Sequence, residues 1–296
     1  MVKNFDMEST RINALVSLLD DPDYEVFSEI KIQLLSLGIE AIPFLENAWE
    51  TSFDPTLQKR AEEIIHDIQY STVAIDIENW VKNGGVDLIE GVAIVARYQY
   101  PELKTENIKQ QLNEIKNDIW LELNHNLTAL EIVRVVNHIF FDIHGFNGNT
   151  SNFHAPQNSY INIVLETKKG NPLMLSILYI YLADQLDLPI FGVNLPEHFV
   201  LAYTDNDKKK SDWKNADILF YINPFSRGTV FNQKEIDQFL KQLKLEPQDS
   251  YFKPCDNIQM VLRLLRNLSN SFEKLAYPQK AEEINNLLNK LLKIKK

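Results

Sequence analysis

From residue 10 to residue 70 apolar side chains recur at helical spacing, and turn signals cut the run into short pieces. In DDPDYE, Asp21 offers a cap and Pro22 a first helical position, and Asp54-Pro55 repeats the device. Between them LGIEAIPFLENAW carries apolar residues at the same period. The helical pattern continues to residue 141, with a turn at Asn83-Gly84-Gly85 and a break at Tyr100-Pro101. Thr128 then precedes ALEIVRVVNHIFF with Glu131 three residues on, the spacing of a capping box. HGFNGNTSNFHAPQNS follows as a long polar connection, of the kind that is often functional inside a compact domain.

After a short helix in YINIVLETKKG, residues Leu173 to Leu186 are apolar on nearly every face, which predicts a central, buried helix. The period then changes. IFGVNL, HFVLAYT and DILFYINPF are short and rich in β-branched and aromatic residues, and they predict consecutive antiparallel strands. From Asn257 the helical period returns, with Ile258, Val261, Leu262, Leu265, Leu268, Phe272 and Leu275 on one stripe. A turn at AYPQK leads to a second helix bearing Ile284, Leu287, Leu288, Leu291 and Leu292, so the pair reads as an αα-hairpin. The fold class expected is α+β, mainly helical, with a central helix against a small antiparallel sheet and helical flanks.

Composition narrows the functional classes. With 296 residues, 45% of them hydrophobic, the chain is long enough for a sizeable core, and its longest apolar stretch, LMLSILYIYLA, is too short for a membrane span. A net charge of -11 argues against nucleic acid as a partner. The basic run Lys208, Lys209 and Lys210 sits among acids and polar residues and reads as a solvated loop. One cysteine, Cys255, excludes an internal disulfide, and an amino terminus without a basic and then apolar leader fits a cytoplasmic protein. His66, His125, His138, His144 and His154 show no paired-ligand spacing, and neither a phosphate loop nor a dinucleotide motif is present, so no metal or cofactor is expected.

The order of Pro172 at a helix start, His198 on one strand and Asn223 on the next matches the places where a thiol enzyme holds a nucleophile, its base and the group that orients the base. NSYINIVLETKKGNPLMLSILYIYLADQLDLPIFGVNLPEHFVLAY, followed by LFYINPF, resembles the SirB-type family of transglutaminase-like proteins, which is related in fold to papain-like enzymes. The likeness extends upstream through FFDIHGFNGN and downstream to VLRLLRNLSNSFEK. It implies a transglutaminase-like core over residues 86–245, with an N-terminal helical region resembling HEAT repeats over 1–85 and a C-terminal hairpin resembling a tetratricopeptide unit over 246–296.

On that resemblance the family's cysteine falls at Pro172, its histidine at His198 and its aspartate at Asn223, a triad without a nucleophile. Proline is also at home in a first helical turn, so Gly170-Asn171-Pro172 has a purely structural reading. Asn158, Ser159, Asn171, Ser176 and His198 are expected to border the remnant cleft. The role implied is noncatalytic binding of a protein or peptide, regulatory or adaptor-like, because the family is named for a bacterial regulator and a related core occurs in a eukaryotic F-box protein. The rival is a hydrolase or acyltransferase that uses His198 with Ser176, one turn along the same helix, although a lone serine on an apolar helix usually bonds back to the carbonyl four residues earlier. Cys255 stands at another helix start in KPCDNI, where nothing in the sequence brings it to His198.

Overall fold

The computed structural model describes residues 2–205 and 216–294, and the run Lys208 to Lys210 lies outside the described residues. Two compact units divide the chain, Met1–Asp76 and Ile77–Lys296. The first holds α1 (Val2–Val16), α2 (Tyr24–Leu37), α3 (Ile42–Thr51) and the opening of α4 (Pro55–Lys82). Leu19, Leu34, Leu45 and Ile64 are wholly buried in its core. The start of α2 corrects the sequence reading, since Asp23 rather than Asp21 accepts the Glu25 N–H (2.8 Å). Asp21 accepts the Asp23 N–H instead (2.8 Å), so Pro22 shapes the turn before the cap. Asp54 and Pro55 hold their expected places, with Thr56 N–H donating to Asp54 at 2.6 Å. Arg60 of α4 donates to the carbonyls of Leu19 and Asp21, both at 2.7 Å, and lies 4.2 Å over the Phe27 ring, which satisfies the end of the preceding turn.

In the second unit the helices α5 (Leu88–Arg97), α6 (Thr105–Glu122) and α7 (Ala129–Asn137) lead into a π-helical turn at His138–Ile143. Thr128 and Glu131 form the capping box that starts α7. A two-residue parallel ladder, β1 (Asn147–Gly148) with β2 (Lys169–Gly170), encloses α8 (Ile161–Thr167) and delivers the chain to α9 (Pro172–Gln185). Every residue of α9 from Pro172 to Ala183 except Tyr181 is buried. A helix apolar on all faces must be covered on all faces, and α5, α6 and the strands after it do this.

Those strands are β3 (Ile190–Val193), β4 (Val200–Thr204), β5 (Ile218–Asn223) and β6 (Thr229–Phe231), antiparallel in that order. Val200, Ala202 and Tyr221 face Ile236 and Leu240 of α10 (Gln233–Gln242), which leaves Leu201 and Tyr203 for the α9 side by the two-residue alternation of a strand. The first three strands fall where the pattern puts them, whereas β6 and α10 occupy a stretch to which that pattern assigns nothing. The chain ends in the hairpin of α11 (Asn257–Lys274) and α12 (Pro278–Ile294). Val261, Leu262, Leu265, Leu268 and Phe272 of the expected stripe are buried. Leu275 is not: it stands past the last turn of α11 and is 46% exposed.

Candidate functional site

The start of α9 is held by a closed set of hydrogen bonds. The Asn171 side chain accepts the Met174 N–H (2.8 Å), which caps the helix, and its amide donates to Ser159 Oγ (2.8 Å). Pro172 follows in the first turn, where a missing N–H leaves nothing unsatisfied. Asn158 donates to the carbonyls of Asn152 (2.7 Å) and Phe153 (3.1 Å) and accepts from Asn149 (2.8 Å), so it ties the polar connection down beside the helix. Ser176 donates to the Pro172 carbonyl at 2.8 Å, the backward bond usual for a serine inside an apolar helix. Asn158, Ser159, Asn171 and Ser176 are between 0% and 7% exposed, and of the five residues expected to border a cleft only His198 is exposed.

Asn223 ends β5 and caps the short turn Pro224–Ser226 that packs on α9, accepting from Phe225 N–H (3.1 Å) and Ser226 N–H (3.3 Å). That turn sets the Phe225 ring against Gly148, where an added Cβ would come within 2.6 Å of it, and edge-on to Phe153 at 5.7 Å. An aromatic ring therefore fills space beside β1, whose partner strand leads straight into α9. His198 lies in the connection before β4, not on the strand as the sequence pattern places it, and its ring meets Phe239 of α10 at 4.8 Å. No hydrogen bond joins His198 to Asn223 among the described residues. Partial burial holds the His198 ring below the usual imidazole pKa; Glu197 opposes the shift and Arg263 adds to it. The arrangement thus gathers Asn158, Ser159, Asn171, Pro172 and Ser176 at one helix start, sets Asn223 in a turn packed on the same helix, and sets His198 edge-on to an aromatic ring of a different one.

The opposite end of α9 is open. A cleft of about 750 Å³ runs between the turn at Gly84–Asp87, Lys109 of α6, the carboxyl end of α9, β3 and the start of α11. Tyr181 and Asp184 of α9 line it, as does Cys255, whose N–H donates to the Gly192 carbonyl at 2.8 Å. Sequence reasoning misses this cleft because its walls come from separate stretches that share no spacing. Among the described residues no group of three or more His, Cys, Asp or Glu is placed to hold a metal, and no helix is long and apolar enough to cross a membrane.

Comparison with known proteins adds relatives to this geometry. A model of the transglutaminase-like superfamily matches residues 106–266, a segment that contains Pro172, His198 and Asn223. The chain is 24% identical to a UPF0162 protein of Xylella fastidiosa (strain 9a5c) over 71% of its own length and 72% of the relative's. It is 25% identical to a UPF0162 protein of Vibrio cholerae over 63% of its length and 66% of the relative's. It is also 29% identical to F-box only protein 21 of Mus musculus, over 38% of this chain and 18% of that one. No solved structure matches the chain.

Proposed function

The chain belongs to the transglutaminase-like superfamily, and from that premise we propose that it uses the fold as a noncatalytic module that binds a protein or peptide partner in a regulatory or adaptor role. The observation that carries this reading is Pro172. It stands in the first turn of the central helix, where the resemblance places a cysteine and where a helix dipole would favour a thiolate, and it offers no nucleophile. The neighbouring groups support it. The Ser176 hydroxyl is wholly buried and bonded to Pro172, the Asn223 side chain is engaged in its own turn, and the His198 ring rests on Phe239. An acyl transfer needs a nucleophile within hydrogen-bond reach of its base, and these positions are occupied by packing and capping instead. We infer a cytoplasmic setting from the single cysteine.

The test compares wild type, His198→Ala and Ser176→Ala for hydrolysis of 4-nitrophenyl acetate and for transfer of a dansylated amine to a glutamine peptide. The reading expects no rate that either substitution lowers. A rate above buffer that disappears in both variants overturns it in favour of a serine hydrolase or acyltransferase using His198 with Ser176.

A further inference from the structure

The negative charge of the chain is gathered at one end. Residues 1–76, the first compact unit, hold 15 of the 41 aspartates and glutamates but only 5 of the 30 lysines and arginines, so -10 of the net -11 resides there. In the remaining residues acids and bases nearly cancel. Like charges packed into one unit repel each other and add nothing to its fold, but they draw basic molecules toward it.

The same unit exposes large apolar side chains beside its carboxylates. In α3, Glu46, Trp49 and Glu50 are exposed at positions three and four apart, which sets them on one face, and Phe53 continues that spacing just past the helix end. Phe53 is 100% exposed and Trp49 40%, and aromatic side chains are frequent anchors of protein interfaces. The Trp49 indole N–H donates to Glu62 of α4 (2.8 Å), which fixes the ring and brings a third carboxylate to the face. Lys59, three residues before Glu62, offsets one of the three. Lys31 of α2 is already engaged by Glu63 and Asp67 (2.5 and 2.8 Å), whereas Glu46 and Glu50 have no basic partner among the described residues.

These features specify the occupant. A small cation would answer the carboxylates and leave Phe53 and Trp49 in water. A purely apolar partner would bury the glutamates unpaired. An extended chain needs main-chain partners, but those of α3 are spent within the helix, and the Trp49 and Ser52 carbonyls at its end are taken by Gln58 (3.1 and 3.0 Å). A helix satisfies its own main chain, and one with apolar and basic faces answers both the rings and the carboxylates.

We propose that this face of the first unit, with Trp49 and Phe53 set among Glu46, Glu50 and Glu62, docks a basic amphipathic helix of a partner protein. This rests on the binding role proposed above and names the chemistry of the partner. The test uses the full chain and fluorescence anisotropy with three labelled peptides of about 18 residues, or five helical turns. The first carries leucine and lysine at helical period on opposite faces, the second has glutamate for lysine, and the third has the composition of the first in an order that forms no faces. The lysine helix is expected to bind, and the other two to bind more weakly by about tenfold or more. Phe53→Ser, and Glu46→Lys combined with Glu50→Lys, are exposed substitutions whose folding is checked by circular dichroism, and each is expected to weaken the lysine helix by a similar factor. The proposal is overturned if the lysine helix does not bind, if the glutamate or reordered peptide binds equally well, or if either variant binds the lysine helix as wild type does while remaining folded. The turnover assay reads the noncatalytic role independently: absent peptide binding with absent turnover removes only this inference, and turnover with peptide binding removes only the noncatalytic reading.

Discussion

At its amino end α9 begins in a pocket of asparagine and serine side chains whose partners all lie inside the protein, whereas its carboxyl end borders an open cleft lined by Tyr181, Asp184 and β3. Both ends belong to one buried helix, yet polar groups stand in different surroundings at them. At Asn171 and Ser159 they are spent on holding a loop and a helix start together, so the place that chemistry would occupy is packed shut. At Tyr181 and Asp184 they line a space large enough for a ligand. On the noncatalytic reading fold and site are separable in this superfamily member, and the open cleft lies away from the triad positions.

The largest effect that sharpens this contrast is expected from Asn171→Ala. It removes the α9 cap and strips the buried Ser159 hydroxyl of its partner, which should destabilise the protein by about 2 to 3 kcal/mol in urea unfolding. Asp184→Asn at the exposed end should shift stability by no more than about 0.5 kcal/mol. Equal effects would erase the distinction between the two ends. Gly148→Ala comes next: its Cβ meets the Phe225 ring at 2.6 Å, and displacing that ring should cost about 1 to 2 kcal/mol. A neutral result would show that Phe225 is not held against the loop.

The smallest effect is electrostatic and belongs to His198. Its folded pKa is lowered, chiefly by burial, so below the unfolded value of about 6.5 the unfolded chain binds the proton more readily. Its contribution to stability is thus complete above that value and is lost as pH falls toward the folded one. Between pH 7.5 and pH 5 the melting temperature of wild type should fall slightly more than that of His198→Ala. Identical slopes would place the ring in a solvent-like setting, free of Phe239 and Arg263.

Much of the architecture is legible in the residues themselves. Leu173 to Leu186 announce a central helix because no face of it could meet water, and the β-branched runs announce the strands in their right order. Asp21 and Asp23 flank the same proline, and both can cap, so only the backbone decides between them. Leu275 continues the stripe in sequence but falls where the helix has already ended. The back-bond of Ser176 follows from an apolar surrounding alone. The surroundings of His198 do not, because Phe239 belongs to a helix without a strong signal and lies some 40 residues away in sequence. The cleft is hidden for a similar reason: Asp87 and Asp256 cap α5 and α11, far apart in sequence, and only the packing of α5, α9 and α11 brings them together.

The most direct test places a cysteine at each end of α9 in turn, in a Cys255→Ser background that removes the only native thiol. Pro172→Cys and Asp184→Cys would be compared for the rate and pH dependence of alkylation by iodoacetamide in the folded protein. The cysteine at 184 should react at the rate of an exposed thiol. The cysteine at 172 should react at least about 100-fold more slowly, as expected for a buried position that opens only by local unfolding, and should be indifferent to His198→Ala. Rapid alkylation at 172 with a midpoint well below the ordinary thiol value of about 8.5, shifted by His198→Ala, would contradict the account and reveal a latent cysteine-histidine site at the helix start.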